Sequence, residues 1–158
     1  MNIRLATVND KAWIDAFISQ NWGASFIISR GKRFVPSGHE ALIAEEGGKA
    51  AGLLTFRAED GEIEILTFNA IAPRQGVGSR LVERLATEAR ARKVKRLWLV
   101  ATNDNLDALR FYQRRGFDIC CLHRDAADEA RKLKPLIPLV GSFGIPIRHE
   151  IELEMRLV

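Results

Sequence analysis

The sequence predicts a mixed α/β fold, one largely antiparallel sheet with helices on both sides. Three observations predict it. From Ala41 to Ala72 the β-rich run "ALIAEEGGKAAGLLTFRAEDGEIEILTFNAIA" is broken by Gly47-Gly48 and Asp60-Gly61, glycine-bearing turns that describe a three-strand meander. Val77, Leu81, Leu85 and Ala89 then recur every four residues with Val82 and Ala86 beside them, and "RLWLVAT" (96–102) follows. That is an amphipathic helix on a sheet, then a strand covered on both faces. Finally, Ile151, Leu153, Met155 and Leu157 alternate with Glu150, Glu152, Glu154 and Arg156, which predicts a closing strand with one buried face.

The other elements fill in around these. Ile3 and Leu5 alternate as a short strand, and a helix follows with Asn9 or Asp10 as its cap and Trp13, Ile14, Phe17 and Ile18 as its apolar stripe. "SFIISRGKRF" reads as a hairpin turning at Arg30-Gly31. A second amphipathic helix starts after a cap at Asn103, Asp104 or Asn105 and stops at Gly116, and "FDICCLH" is the next strand. A charged helix around "DAADEARKLK" and the Pro/Gly-rich "PLIPLVGSFGIPIR" form an insert at about 125–148 before the last strand.

At 158 residues and 47% hydrophobic, residues 1–158 suit a single domain burying roughly two-thirds of its unfolded surface. Lys and Arg exceed Asp and Glu by 24 to 20, a net +4 that favours anionic ligands only mildly. The densest basic cluster, "RARKVKR", ends a helix, where cations suit the dipole, so no nucleic-acid arm is expected. Cys120 and Cys121 are adjacent and, in a strand, point to opposite faces, which disfavours a disulfide between them and makes a reduced, cytoplasmic setting the default. "MNIRLATVND" lacks the apolar core of a signal peptide, and no window predicts a membrane partner. His39, His123 and His149 show no metal-ligand spacing, so no metal is expected.

"NAIAPRQGVGSRLVERL" (69–85) places glycines at a strand-to-helix joint, where a backbone can approach a phosphate. A Walker loop needs Lys and then Ser or Thr after its second glycine, but Gly78 is followed by Ser79-Arg80. A dinucleotide fingerprint needs a third glycine where Leu81 stands. What remains is a cradle of backbone N–H groups from Gln75, Gly76, Val77, Gly78, Ser79 and Arg80 at the positive end of the helix.

Downstream, "NLDALRFYQRRGFDI" sets Asn105, Ala108, Tyr112 and Gly116-Phe117 in a spacing that resembles the second signature of the GNAT acetyltransferase superfamily, N-x-x-A-x-x-x-Y-x-x-x-G-F. The glycine loop resembles its first, R/Q-x-x-G-x-G/A, and the order of elements agrees. One departure stands out: Pro73 falls where the family usually has Arg or Gln and Arg74 where it has Gly, so Arg74 or Gln75 only approximates the usual contact.

The resemblance implies a sheet with central parallel strands that splay, acetyl-CoA as co-substrate, and an acetyl group passed to a primary amine by direct attack in a ternary complex. It places Phe68, Asn69, Ala70 and Ile71 along the pantetheine arm, with a backbone N–H polarising the thioester carbonyl. A lysine-type amine of pKa about 10.4 costs roughly 4.6 kcal/mol to present neutral at pH 7, so a base is useful. Glu64 is the candidate and Glu62 the alternate, although both also suit the polar positions of a strand alternating with Ile63 and Ile65. The matching Tyr112 is expected near the sulfur as the acid, or else serves as a core aromatic beside Phe117. Asn105 is expected to contact the cofactor, to cap its helix, or both, while Arg80 and Arg84 either reach phosphates or face water. The acceptor is a small-molecule amine or a peptide or protein amine, and the insert is an acceptor wall, a homodimer contact or a plain surface loop. A non-catalytic acyl-CoA sensor is the alternative function.

Overall fold

The computed structural model describes residues 1–71 and 76–157. Its strands are β1 (Asn2–Leu5), β2 (Ile27–Ser29), β3 (Lys32–Phe34), β4 (Glu40–Glu46), β5 (Lys49–Glu59), β6 (Glu62–Ala70), β7 (Arg96–Thr102), β8 (Asp118–His123) and β9 (Glu150–Arg156). Its helices are α1 (Lys11–Trp22), α2 (Val77–Ala91), α3 (Leu106–Arg114) and α4 (Ala126–Leu133). This is the mixed α/β, mostly antiparallel arrangement that the patterning predicts. The chain divides into two compact units: Met1–Phe26 with Val35–Leu97 and the C-terminal residues from Arg156, and Ile27–Phe34 with Trp98–Met155. Among the described residues no helix is long and apolar enough to cross a membrane.

In the first unit the strands lie in the order β1-β4-β5-β6, all pairs antiparallel. Both meander turns carry consecutive positive-φ residues, Gly47-Gly48 and Asp60-Gly61, the backbone that matches strand twist in a tight hairpin. A bulge at Leu66 interrupts β6, since Thr55 faces Thr67 while Phe56 faces Ile65. Ile14 and Ile18 of α1 pack on Ala41, Ile43 and Leu53, with Phe17 partly buried beside them. Trp13 is exposed and stacks on Phe17, so the buried stripe is narrower than expected. The cap also differs: Thr7 and Asp10 form a capping box on a single 3-10 turn that leads into α1. Asp10 does stand at the N-cap position of α1, as one of the two expected caps, but makes no side-chain cap bond there because its carboxylate is committed to Thr7 N and Arg4.

In the second unit the hairpin β2–β3 turns at Arg30-Gly31, both at positive φ, as predicted. β8 pairs antiparallel with β9, with a bulge at Cys120. The closing strand departs from expectation, for Glu150 and Glu152 are buried, 3% and 5% exposed. Both have partners: Arg30 N donates to Glu150 at 3.0 Å, and His123 Nε2 lies 2.9 Å from Glu152 Oε1. Period-two alternation identifies two faces, and here partners supplied from distant segments let the acidic face be covered as well. Cys120 and Cys121 are free thiols.

Candidate active site

The glycine loop is prepared by β6. Ile71 N donates to Ala51 O at 2.7 Å, so Ile71 and, two residues earlier, Asn69 turn their amides to β5, whereas Phe68 and Ala70 turn theirs to the opposite edge. The Asn69 side chain is a strand residue facing Leu53 and accepts from Trp22 Nε1 at 2.9 Å. Pro73, Arg74 and Gln75 lie outside the described residues. Gly76 starts α2 at φ 68°, a left-handed conformation that favours glycine, and Val77 and Gly78 are buried behind it. Ser79 is half-buried and Arg80 exposed in that first turn. Arg84 donates to Ile3 O at 2.7 Å, so it ties the helix to β1.

Sequence patterning gives no sign of Gly52 on β5. A Cβ there would lie 2.6 Å from Val77 Cγ1, 2.9 Å from Leu81 Cδ1 and 3.2 Å from Asn69 O. Its bare backbone is what lets the first turns of α2 sit close to β5. A glycine inside a strand marks such close approaches.

Glu64 is 2% exposed and its Oε1 accepts from Arg57 Nε at 2.8 Å, its cross-strand partner. Arg57 also binds Glu59. The nearby His39 is held below its ordinary pKa by burial and by the Arg57 charge, against the opposing pull of Glu64. Glu62 pairs with Arg96 at 3.0 Å.

In the second unit the spacing Asn105, Tyr112, Gly116, Phe117 has a local cause. Asn105 Oδ1 accepts from Ala108 N at 3.1 Å and caps α3. At the other end Phe117 N donates to Tyr112 O and Gly116 N to Gln113 O, with Gly116 at φ 93°. This is a Schellman ending, in which the residue after the glycine packs on the residue five before it. The rings of Tyr112 and Phe117 accordingly meet edge-on at 5.2 Å, and Phe111 meets Tyr112 at 5.1 Å. Tyr112 is 4% exposed, and burial pushes its phenol well above the ordinary range.

The other two candidate caps anchor the insert instead. Asn103 Oδ1 accepts from Arg148 N and His149 N, and Asp104 Oδ2 from Ser142 N, each at 2.9 Å. Arg131 of α4 donates to the carbonyls of Ile137, Pro138 and Ile147. The backbone of a Pro/Gly-rich segment is thus fixed by three side chains. Among the described residues no group of three or more His, Cys, Asp or Glu is placed to hold a metal ion.

Residues 9–117, which carry both glycine-bearing signatures, match the Acetyltransferase (GNAT) family. The chain belongs to this family and is a GNAT acetyltransferase. It is 34% identical over 158 residues, 99% of each chain, to the uncharacterized protein YxbD of Bacillus subtilis (strain 168). Its fold is similar to that of the IAA acetyltransferase from Bacillus cereus ATCC 14579, with a TM-score of 0.74 and 19% identity across 99% of both chains. A GNAT family acetyltransferase from Elizabethkingia anophelis with acetyl-CoA bound is also similar, with a TM-score of 0.70 and 20% identity over 99% of this chain and 97% of that one.

Proposed function

We propose that this chain transfers the acetyl group of acetyl-CoA to a primary amine by direct attack in a ternary complex. The observation that carries the reading is the run from β6 into α2. Phe68 and Ala70 present amides away from β5, and Gly76 and Gly78 then open a helix N-terminus. Such a run offers hydrogen-bond donors to a thioester carbonyl and to phosphates in succession. Residues 74–80, with Phe68 to Ile71 and Asn105, serve the cofactor, a reading supported by the acetyl-CoA held in the Elizabethkingia anophelis protein of similar fold.

The amine nitrogen forms the new bond to the acetyl carbon as the thioester C–S bond breaks. Glu64 receives the amine proton, and Arg57 fixes the carboxylate that does so. Tyr112 meets the departing sulfur. Its raised pKa makes full transfer to a thiolate of pKa about 8.5 uphill, so its O–H acts as a hydrogen-bond donor to the developing charge. The insert borders the acceptor, and residues 1–158 work as one domain.

Acetyl-CoA and CoA are expected to raise the melting temperature and NAD to leave it unchanged. Thiol release with amines tests turnover. Stabilisation by NAD but not by CoA rules the reading out.

A further inference from the structure

We infer that Cys121 is a nucleophilic thiol, a modification site in the second unit that takes small disulfides such as glutathione disulfide. The site stands apart from acetyl transfer and is built from β8 and β9. Cys121 Sγ lies 4.0 Å from His123 Nδ1, and His123 Nε2 lies 2.9 Å from Glu152 Oε1. A thiol, an imidazole and a carboxylate thus stand in series, the order in which a nucleophile is activated by a base that a third group orients.

The carboxylate decides the tautomer. An ionised Glu152 only accepts, so the imidazole proton belongs on Nε2 and the Nδ1 lone pair faces the Cys121 thiol. Glu152 is buried, and Arg30 Nη1 stands 3.6 Å from the same Oε1, which gives the carboxylate a cationic partner. Glu150, the cross-strand neighbour of His123, accepts instead from Arg30 N at 3.0 Å. An imidazolium formed when His123 takes the thiol proton therefore lies against Glu152, which stabilises it.

The two adjacent thiols are both exposed, but they are not equivalent. Neighbours in a regular strand point to opposite faces, whereas the bulge at Cys120 brings its sulfur to the same carboxylate, 3.6 Å from Glu152 Oε2. A negative sulfur at Cys120 would face a carboxylate, and one at Cys121 an imidazolium. Access does not separate them; the neighbouring charge does.

In the step itself, Cys121 passes its proton to His123 and its sulfur attacks one sulfur of the incoming disulfide. A new S–S bond forms as the old one breaks, and the second sulfur leaves as a thiolate that recovers the proton. Cys121 is oxidised to a mixed disulfide, the departing half is reduced, and excess thiol reverses the exchange. An unaided thiol is only about 3% ionised at pH 7, so the base has room to raise the rate about tenfold.

The test treats the reduced full chain with glutathione disulfide at pH 7 and assigns the adduct by fragment-ion mass spectrometry. Cys121 is expected to react about tenfold faster than Cys120, and the preference is expected to vanish in concentrated urea. In His123→Asn the Cys121 rate at pH 7 is expected to fall about tenfold and to match that of the natural chain at about pH 10, where a thiol loses its proton unaided. Equal rates at the two sulfurs, a faster Cys120, or a His123→Asn chain that reacts at pH 7 like the natural one overturns the assignment. The preference within the natural chain decides the site even where that variant fails to fold.

Discussion

Burial acts on Tyr112 and Glu64 in different ways. Tyr112 carries a neutral group that burial keeps protonated, so its phenol is a donor throughout the working pH range. Removing only the hydroxyl keeps the edge-on contacts with Phe111 and Phe117. Tyr112→Phe is therefore expected to lower kcat by about ten- to a hundredfold, with stability within about 1 kcal/mol of the natural chain. Full turnover in that variant would reduce Tyr112 to a core aromatic. Glu64 is a buried charge that depends on Arg57. Arg57→Met removes the guanidinium from that buried carboxylate and is expected to cost about 3–5 kcal/mol in a urea melt, whereas Glu64→Gln keeps the shape and costs less. The pH-rate profile of Glu64→Gln separates the two duties: a proton acceptor's loss removes the acid limb, and a purely structural partner's loss does not. The place of Tyr112 at the end of α3 is legible because one local spacing fixes it. Arg57 is not, since its pairing with Glu64 runs across a hairpin whose register shifts between Thr55 and Phe56.

Local chemistry explains which elements sequence reading recovers. Turns that need two positive-φ residues announce themselves by glycine, so Gly47-Gly48, Asp60-Gly61 and Arg30-Gly31 all fall where expected. The end of α3 is equally local. Gly116→Ala meets nothing closer than Met155 Cε at 3.8 Å, so its cost is the φ of 93° alone, about 1–2 kcal/mol. Gly52 is the opposite case, because its cost is contact and not conformation, and contact between β5 and α2 is invisible in a linear pattern. Gly52→Ala is expected to lose about 1–3 kcal/mol by displacing Val77 and Leu81, and to weaken acetyl-CoA binding more than Gly116→Ala does. Melting curves with and without acetyl-CoA measure both effects, and equal shifts in the two variants would count against a role for Gly52 in placing α2. β9 fails for a related reason: alternation marks Glu150 and Glu152 as one face, but their burial depends on Arg30 and His123, far away in sequence.

Across the whole chain, +4 predicts only a mild preference for anions, yet the ionic pairs determine how the fold meets acid. Arg4 joins Asp10 and Glu45, tying β1 to the start of α1 and to β4, and Arg92 joins Glu40, tying the end of α2 to β4. The bonds from Arg4 hold Asp10 well below the ordinary carboxylate range, and those from Arg92 lower Glu40. A depressed carboxylate stabilises the fold fully above its unfolded pKa, about 4, and that contribution fades as pH falls through the folded value. His39, also depressed, adds an earlier loss, because below about pH 6.5 the unfolded chain takes up a proton that the folded one resists. Urea melts are therefore expected to show stability declining gently below about pH 6.5 and steeply below about pH 4. Asp10→Asn should start less stable at pH 7 and lose less on acidification, so the gap between the two curves narrows progressively as pH falls below about 4. Because Arg4 and Glu40 are partly solvent-exposed, added salt weakens the effect without abolishing it. A variant whose acid slope parallels that of the natural chain would show that Asp10 does not control the acid limit, and would shift that role to the Arg92–Glu40 pair.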